Sequence, residues 1–142
     1  MCYFLVPYDG SEAALRALQH AIGQVKLGGA VSIHLVNAQL KAILPADVAV
    51  HITPERVEEL QRLQFDAVLS PAEDALKKTN LPYSKEILIG TIPEVIAKRA
   101  QQDGCNGIIM GTRGMSAINN LVLGSVATRV IHLAKVPVTL VK

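Results

Sequence analysis

Tryptophan is absent from this chain, and aromatic residues make up only 4% of its 142 positions. Proteins that hold single-stranded nucleic acid stack bases on aromatic side chains along a basic groove. A net charge of +2, with no long basic run, supplies neither half of that arrangement. Nucleic acid is therefore not the expected partner. Cysteine is scarce too: Cys2 and Cys105 stand alone, with no CxxC spacing. A zinc site or redox pair is not expected, and two reduced thiols in a reducing compartment is the simpler reading. No stretch approaches the roughly 18 apolar residues of a membrane span. The opening MCYFLVPYDG has no basic segment, and its apolar run is too short for a signal peptide. The expectations are no membrane partner and a cytoplasmic location.

Apolar side chains are abundant, at 50% of the chain against 18% charged, with a mean hydropathy of +0.32. Such a composition suits a parallel sheet covered on both faces, whose strands read as unbroken apolar runs. The length fits a single domain, residues 1–142.

The chain alternates strands and helices. Cys2–Tyr8 reads as a buried strand closed by Asp9-Gly10, after which Ser11 caps a helix with Leu15, Leu18, Ile22 and Val25 at helical spacing, stopped by Gly28-Gly29. Val31–Asn37 is the second strand. Residues 38–53 are irregular, a length that is often functional. Thr53-Pro54 looks like an N-cap with proline at the first helical position, and the helix it starts carries Val57, Leu60, Leu63 and Phe65. Ser70-Pro71-Ala72-Glu73 is a second start signal, so a break is expected near Ser70, with helix resuming to about Lys78. Tyr83–Ile89 is the third strand. A helix follows from Gly90-Thr91-Ile92-Pro93, with Val95, Ile96 and Ala100 facing inward. Gly107–Met110 is the fourth strand, Gly111 to Leu123 a loop, Gly124 to about Ala134 a helix, and Val136–Val141 the fifth strand. Strict alternation implies a doubly wound parallel α/β sheet. Such sheets bind ligands beyond the carboxyl ends of their strands, where the strand order reverses.

Gly111-Thr112-Arg113-Gly114, nine residues, then Gly124-Ser125 is the strongest local signal. Glycines let backbone approach a ligand, and the helix N-terminus that follows offers unpaired N–H groups to an anion. Ser125 adds a hydroxyl, and Arg113 and Arg129 are candidates for positive charge. Phosphate is the natural ligand of such a loop, although the same glycines would also serve a plain turn and cap. The chain has neither GxxxxGK[ST] nor GxGxxG, so it carries neither the P-loop nor the dinucleotide fingerprint.

Taken together, GxxG-x9-G[ST] at Gly111, Gly114, Gly124 and Ser125, Val6-Pro7-Tyr8-Asp9-Gly10-Ser11, Ile109-Met110-Gly111 and Val136-Pro137-Val138 resemble the universal stress protein family over essentially the whole chain. The glycine pattern resembles that family's ATP-binding branch. The resemblance implies strand order 3-2-1-4-5, homodimers joined through the last strand (136–141), and a stress-response role. By position it implies ATP or another adenine nucleotide as ligand, with Mg2+ as an open accompaniment. Asp9 would face the ribose or a metal-bound water. Pro7 and Val36 would line the adenine pocket with Met110 nearby, and Gly111, Gly114, Gly124, Ser125 and Val126 would surround the phosphates, beside Arg113. Tyr8 stands where the family has a small or aliphatic residue, and bears on pocket size. Asp9 has a second reading, because Asp-Gly after a strand is ordinary turn chemistry.

No catalytic residue is nominated. His20, His34, His51 and His132 form no HExxH or other ligand pair, and no general base or Ser-His or Cys-His signature stands out. A nucleotide-binding regulator is the leading expectation. A slow ATPase or phosphotransferase and a nucleotide-free dimeric interaction protein are the alternatives.

Overall fold

In the computed structural model, which describes residues 2–114 and 123–142, the elements run β1 (Tyr3–Pro7), α1 (Glu12–Lys26), β2 (Ser32–Gln39), α2 (Ala46–Ala49), α3 (Pro54–Lys77), β3 (Tyr83–Ile89), α4 (Ile92–Asp103), β4 (Gly107–Gly111), α5 (Ser125–Leu133) and β5 (Val138–Val141). The five strands form one parallel sheet, as the alternation of elements implies, in the order β3-β2-β1-β4-β5, as the family resemblance implies. The chain turns outward on both sides of the β1–β4 pair, so the order reverses there.

Side-chain alternation sends each strand into two cores. On one face Val6, Ile33, Leu35 and Ile109 meet Leu18 and Ile22 of α1 and Phe65, Leu69 and Leu76 of α3. On the other, Leu5, Val36, Ile108 and Met110 meet Ile96 and Ala100 of α4 and Ala127 and Val130 of α5. Each fully buried Leu, Ile or Phe contributes about 1.5–3 kcal/mol. Helix α1 packs through alanines (Ala13, Ala14, Ala17, Ala21), which bring its axis close to the sheet. It starts where Ser11 Oγ accepts the Ala14 N–H at 3.1 Å, and it ends at Gly28, whose φ of +86° favours glycine.

Two expectations need correction. Helix α3 runs unbroken from Pro54 to Lys77 with Pro71 inside it. Pro71 has no N–H to give the Ala67 carbonyl, but both residues lie on the exposed side of the helix. Phe65 and Leu69 before the proline and Ala72 and Leu76 after it are all buried, so packing spans the interruption. Leu60 and Leu63 lie off that face, 44% and 56% exposed. The strand ends also shift: β2 continues two residues past Asn37, and β5 begins at Val138 rather than Val136. Within residues 38–53 the short helix α2 forms, with none of its residues buried.

Candidate functional site

The strands β1 and β4 end side by side, and each is followed by a turn. After β1, Asp9 Oδ1 accepts the Ser11 N–H at 2.9 Å, and Gly10 at φ +88° reverses the chain. After β4, the Thr112 carbonyl accepts the Gly124 N–H at 2.6 Å, which ties the two ends of the glycine loop together across residues 115–122. Those eight positions, within the loop read from the sequence as Gly111 to Leu123, lie outside the described residues.

Between these turns and the start of α4 lies a cavity of about 470 Å³, within the size of ordinary small-ligand sites. Pro7, Tyr8, Asp9, Met110, Gly111, Arg113, Gly114, Gly124, Ser125 and Val126, ten of the residues singled out from the sequence, line it. The eleventh, Val36, does not: it is fully buried in the core under α4. Its place in the wall is taken by Ala38, on the same face two residues further along β2, which the sequence reading ended too early to include. Ile92 and Ile96, one turn apart on α4, close the apolar wall and were missed as well. Their i, i+4 spacing at a helix start opposite the glycine loop was the available signal.

The glycines have separate physical reasons. A Cβ on Gly111 would lie 2.8 Å from Ala13 Cβ and 3.0 Å from the Ala13 backbone carbon, so this glycine admits α1 against the sheet. A Cβ on Gly114 would lie 2.7 Å from Asp9 Oδ2, so it keeps the two turns in contact. Gly124 is the N-cap of α5, with no side chain hydrogen-bonded to the helix start. The first-turn N–H groups of Ser125, Val126 and Ala127 have no intrahelical acceptor, and all three residues border the cavity. An anion there gains both the N–H groups and the helix dipole.

Tyr8 is buried at the cavity edge, and that burial, with the neighbouring Asp9 charge, pushes its phenol up from the ordinary value. Its carbonyl accepts from Asn37 Nδ2 at 2.9 Å, and Asn37 Oδ1 accepts from Gln39 Nε2 at 2.6 Å, so an amide chain at the end of β2 holds the β1 turn. Arg129 is not part of the site. Its Nε lies 3.4 Å from Glu94 Oε1, and it does not line the cavity. No group of three His, Cys, Asp or Glu suited to a metal occurs among the described residues. Asp9 is the one carboxylate among the described lining residues.

His34 belongs elsewhere. Beneath the edge of α4 its Nδ1 lies 2.6 Å from Ser84 Oγ and its Nε2 3.0 Å from Glu86 Oε1. Arg99 bonds both Glu86 and Asp103, and Tyr3 donates to Asp103. Burial, with Asp103 adding to it, pushes the Tyr3 phenol up to about 12.

A model described as the universal stress protein family matches residues 4–142. The chain belongs to that family. Among its relatives is universal stress protein MJ0531 of Methanocaldococcus jannaschii, 31% identical over 140 residues that span 97% of this chain and 80% of the relative. Among solved structures, protein MJ0577 of the same organism superposes with a TM-score of 0.76 at 26% identity, covering 99% of this chain and 94% of the other. The universal stress protein of Archaeoglobus fulgidus in complex with dAMP superposes at 0.68 and 23% identity, covering 100% and 98%. At that identity the likeness speaks to the fold.

Proposed function

We propose that this universal stress protein is a single-domain, adenine-nucleotide-binding regulator of a stress response, ATP being the nucleotide its glycine pattern implies. The observation that carries the reading is the cavity at the β1–β4 switch point, with apolar walls from Pro7, Ala38, Ile92 and Ile96 and the uncapped start of α5 at its rim. Apolar walls suit a purine ring, and a helix start suits phosphate. The dAMP complex of the Archaeoglobus relative adds support from the same fold. Occupancy, rather than turnover, is the proposed output. Among the described residues lining the cavity there is no His or Cys, and Asp9 already holds the Ser11 N–H. Denaturing protein purified from cells should release an adenine nucleotide, and a folded Gly124→Val variant should release none. A variant that keeps its nucleotide would contradict the phosphate assignment. Steady multiple turnover of ATP, lost on changing a cavity residue, would favour the slow ATPase instead.

The same reading includes a homodimer in the cytoplasm. Among the described residues, strand β5 pairs only with β4 and is the sheet edge, and its Val138, Leu140 and Val141 are half-buried. An apolar edge strand invites a second strand, and a like strand from another copy closes a two-fold pair. Light scattering should give twice the monomer mass for the native chain and a lower mass for Val138→Lys. A native protein that stays monomeric at tens of micromolar, on the order of ordinary assay concentrations, would count against the pair.

A further inference from the structure

The polar cluster beneath α4 holds an arrangement that no short motif marks, because its two reactive groups stand 50 positions apart. His34 and Ser84 are register partners across β2 and β3, and Glu86 follows two residues after Ser84 on the same face of β3. The imidazole lies between two oxygens, with Nδ1 2.6 Å from Ser84 Oγ and Nε2 3.0 Å from Glu86 Oε1. Burial alone would push the Glu86 carboxyl up, but hydrogen bonds from Arg99 and His34 hold it below the usual carboxylate range. At neutral pH it is therefore an acceptor only. Nε2 then carries the ring proton of neutral His34, and Nδ1 accepts from the Ser84 hydroxyl. A hydroxyl bonded to a base that a third group orients is the arrangement of an activated nucleophile. Burial divides the pair to the same end: His34 is 8% exposed, whereas Ser84 is at the surface. The backbone adds a donor. The Pro82 carbonyl accepts from the Ile33 N–H, and the Gly90 N–H bonds the Gln39 carbonyl. Even-numbered residues of β3 thus turn their backbone groups toward β2, and odd-numbered ones turn them outward. Among the described residues β3 is a sheet edge, so the Lys85 N–H, next to Ser84, faces away from the sheet. It is placed to meet an oxyanion developing at that serine. This spot is separate from the nucleotide cavity. Ser84 is not in the cavity wall, and Ala38, which is, lies four residues beyond His34 along β2, about 13 Å at strand spacing.

We propose that Ser84 and His34 form a second site, an esterase site for small, unhindered carboxylic esters, with Glu86 as its positioning residue. Ser84 stands on an open strand edge, which sets that substrate class. Ser84 Oγ attacks the ester carbonyl carbon and forms an Oγ–C bond while its proton passes to His34 Nδ1. Collapse of the tetrahedral adduct breaks the C–O bond to the leaving alcohol, which takes that proton. Water then repeats the sequence on the acyl-serine, giving the carboxylic acid and restoring the hydroxyl. The probe is 4-nitrophenyl acetate with the native chain, read by nitrophenolate release and by peptide mass. Ser70, exposed on α3, is the internal reference. Acetyl should reach Ser84 roughly a hundredfold faster than Ser70, the order of general-base assistance, and urea unfolding of the same chain should erase that preference. Ser84→Ala, at a surface position, should stay folded and lose the enzyme-dependent release. The groups facing the imidazole are Ser84 and Glu86 from β3, Tyr3 from β1, and Arg99 and Asp103 from α4. The Glu86 charge favours the protonated ring, so Glu86→Gln should lower the pH at which release is half-maximal as well as the rate itself. Equal acetylation of Ser84 and Ser70 in the folded chain, native release by Ser84→Ala, or a pH profile unmoved by Glu86→Gln would each overturn the proposal, and none of them bears on the nucleotide reading.

Discussion

The two faces of the sheet are built to different ends. Under α1 and α3 the interior is closed: Leu18, Leu35, Phe65, Leu69 and Leu76 are all at or near zero exposure and interlock. Under α4 and α5 the interior is shared between apolar packing, a polar cluster around His34 and Arg99, and a cavity rimmed by Ile96 and Ala127. One face holds the fold, and the other gives up close packing at the strand ends to leave room for a ligand. Ligand sites at the switch point of open sheets have this character because the diverging loops leave a crevice that neither helix layer fills.

The comparison breaks most visibly at Leu69. Leu69→Ala should cost about 2–5 kcal/mol of stability, since it opens a hole in the closed face, and nucleotide affinity should not change. Ile96→Ala should cost less, because its side chain already borders empty space, and should alter affinity. Urea unfolding paired with titration calorimetry separates the two. Equal costs with no change in affinity would mean that the faces do not differ in this way.

Next in size, Gly111→Val should cost about 1–3 kcal/mol through overpacking, because its Cβ meets Ala13 of α1. Gly114→Ala should instead spare stability and lower nucleotide affinity, since its Cβ meets only the end of the Asp9 side chain. Melting curves with and without nucleotide check the contrast. A Gly111 variant that is fully stable but binds no ligand would move that glycine from packing to recognition.

The smallest effect concerns the polar cluster on the open face. Burial pushes the Glu86 carboxyl up, but hydrogen bonds from Arg99 and His34 outweigh it and hold the group below the usual carboxylate range. Arg99, helped by Tyr3, does the same for Asp103. Lowered carboxylates stabilise the fold above their unfolded-state range near pH 4 and lose that contribution as pH falls through the folded values. Melting temperature should therefore drop modestly from about pH 6 to about pH 3, modestly because both groups are partly exposed to solvent. The Glu86→Gln, Asp103→Asn double variant should lose part of that slope. An unchanged slope would place the acid sensitivity elsewhere.

The sequence by itself determined the order of elements, the parallel sheet and most of the cavity wall. The elements and the sheet follow from local regularities, apolar runs closed by Asp9-Gly10 or Gly111 and caps at Ser11 and Thr53, and the glycine loop from the rule that binding residues follow strands, whereas Pro7, Tyr8, Met110 and Val126 entered the wall through the resemblance to the family. Only the tertiary structure decided the rest. Pro71 reads locally as a helix start, yet α3 passes through it, because Phe65, Leu69, Ala72 and Leu76 dock as one stripe and outweigh a missing backbone hydrogen bond. Val36 yields its place in the wall to Ala38 because β2 outruns its apolar pattern, held by pairing with β3 as far as Gln39 and Ile89. Gly111 reads as part of a phosphate loop, but its want of a side chain answers to Ala13, ninety-eight positions earlier in the chain. Local signals report backbone preference, whereas which side chain borders the empty space depends on how distant elements stack, and no short window of sequence carries that.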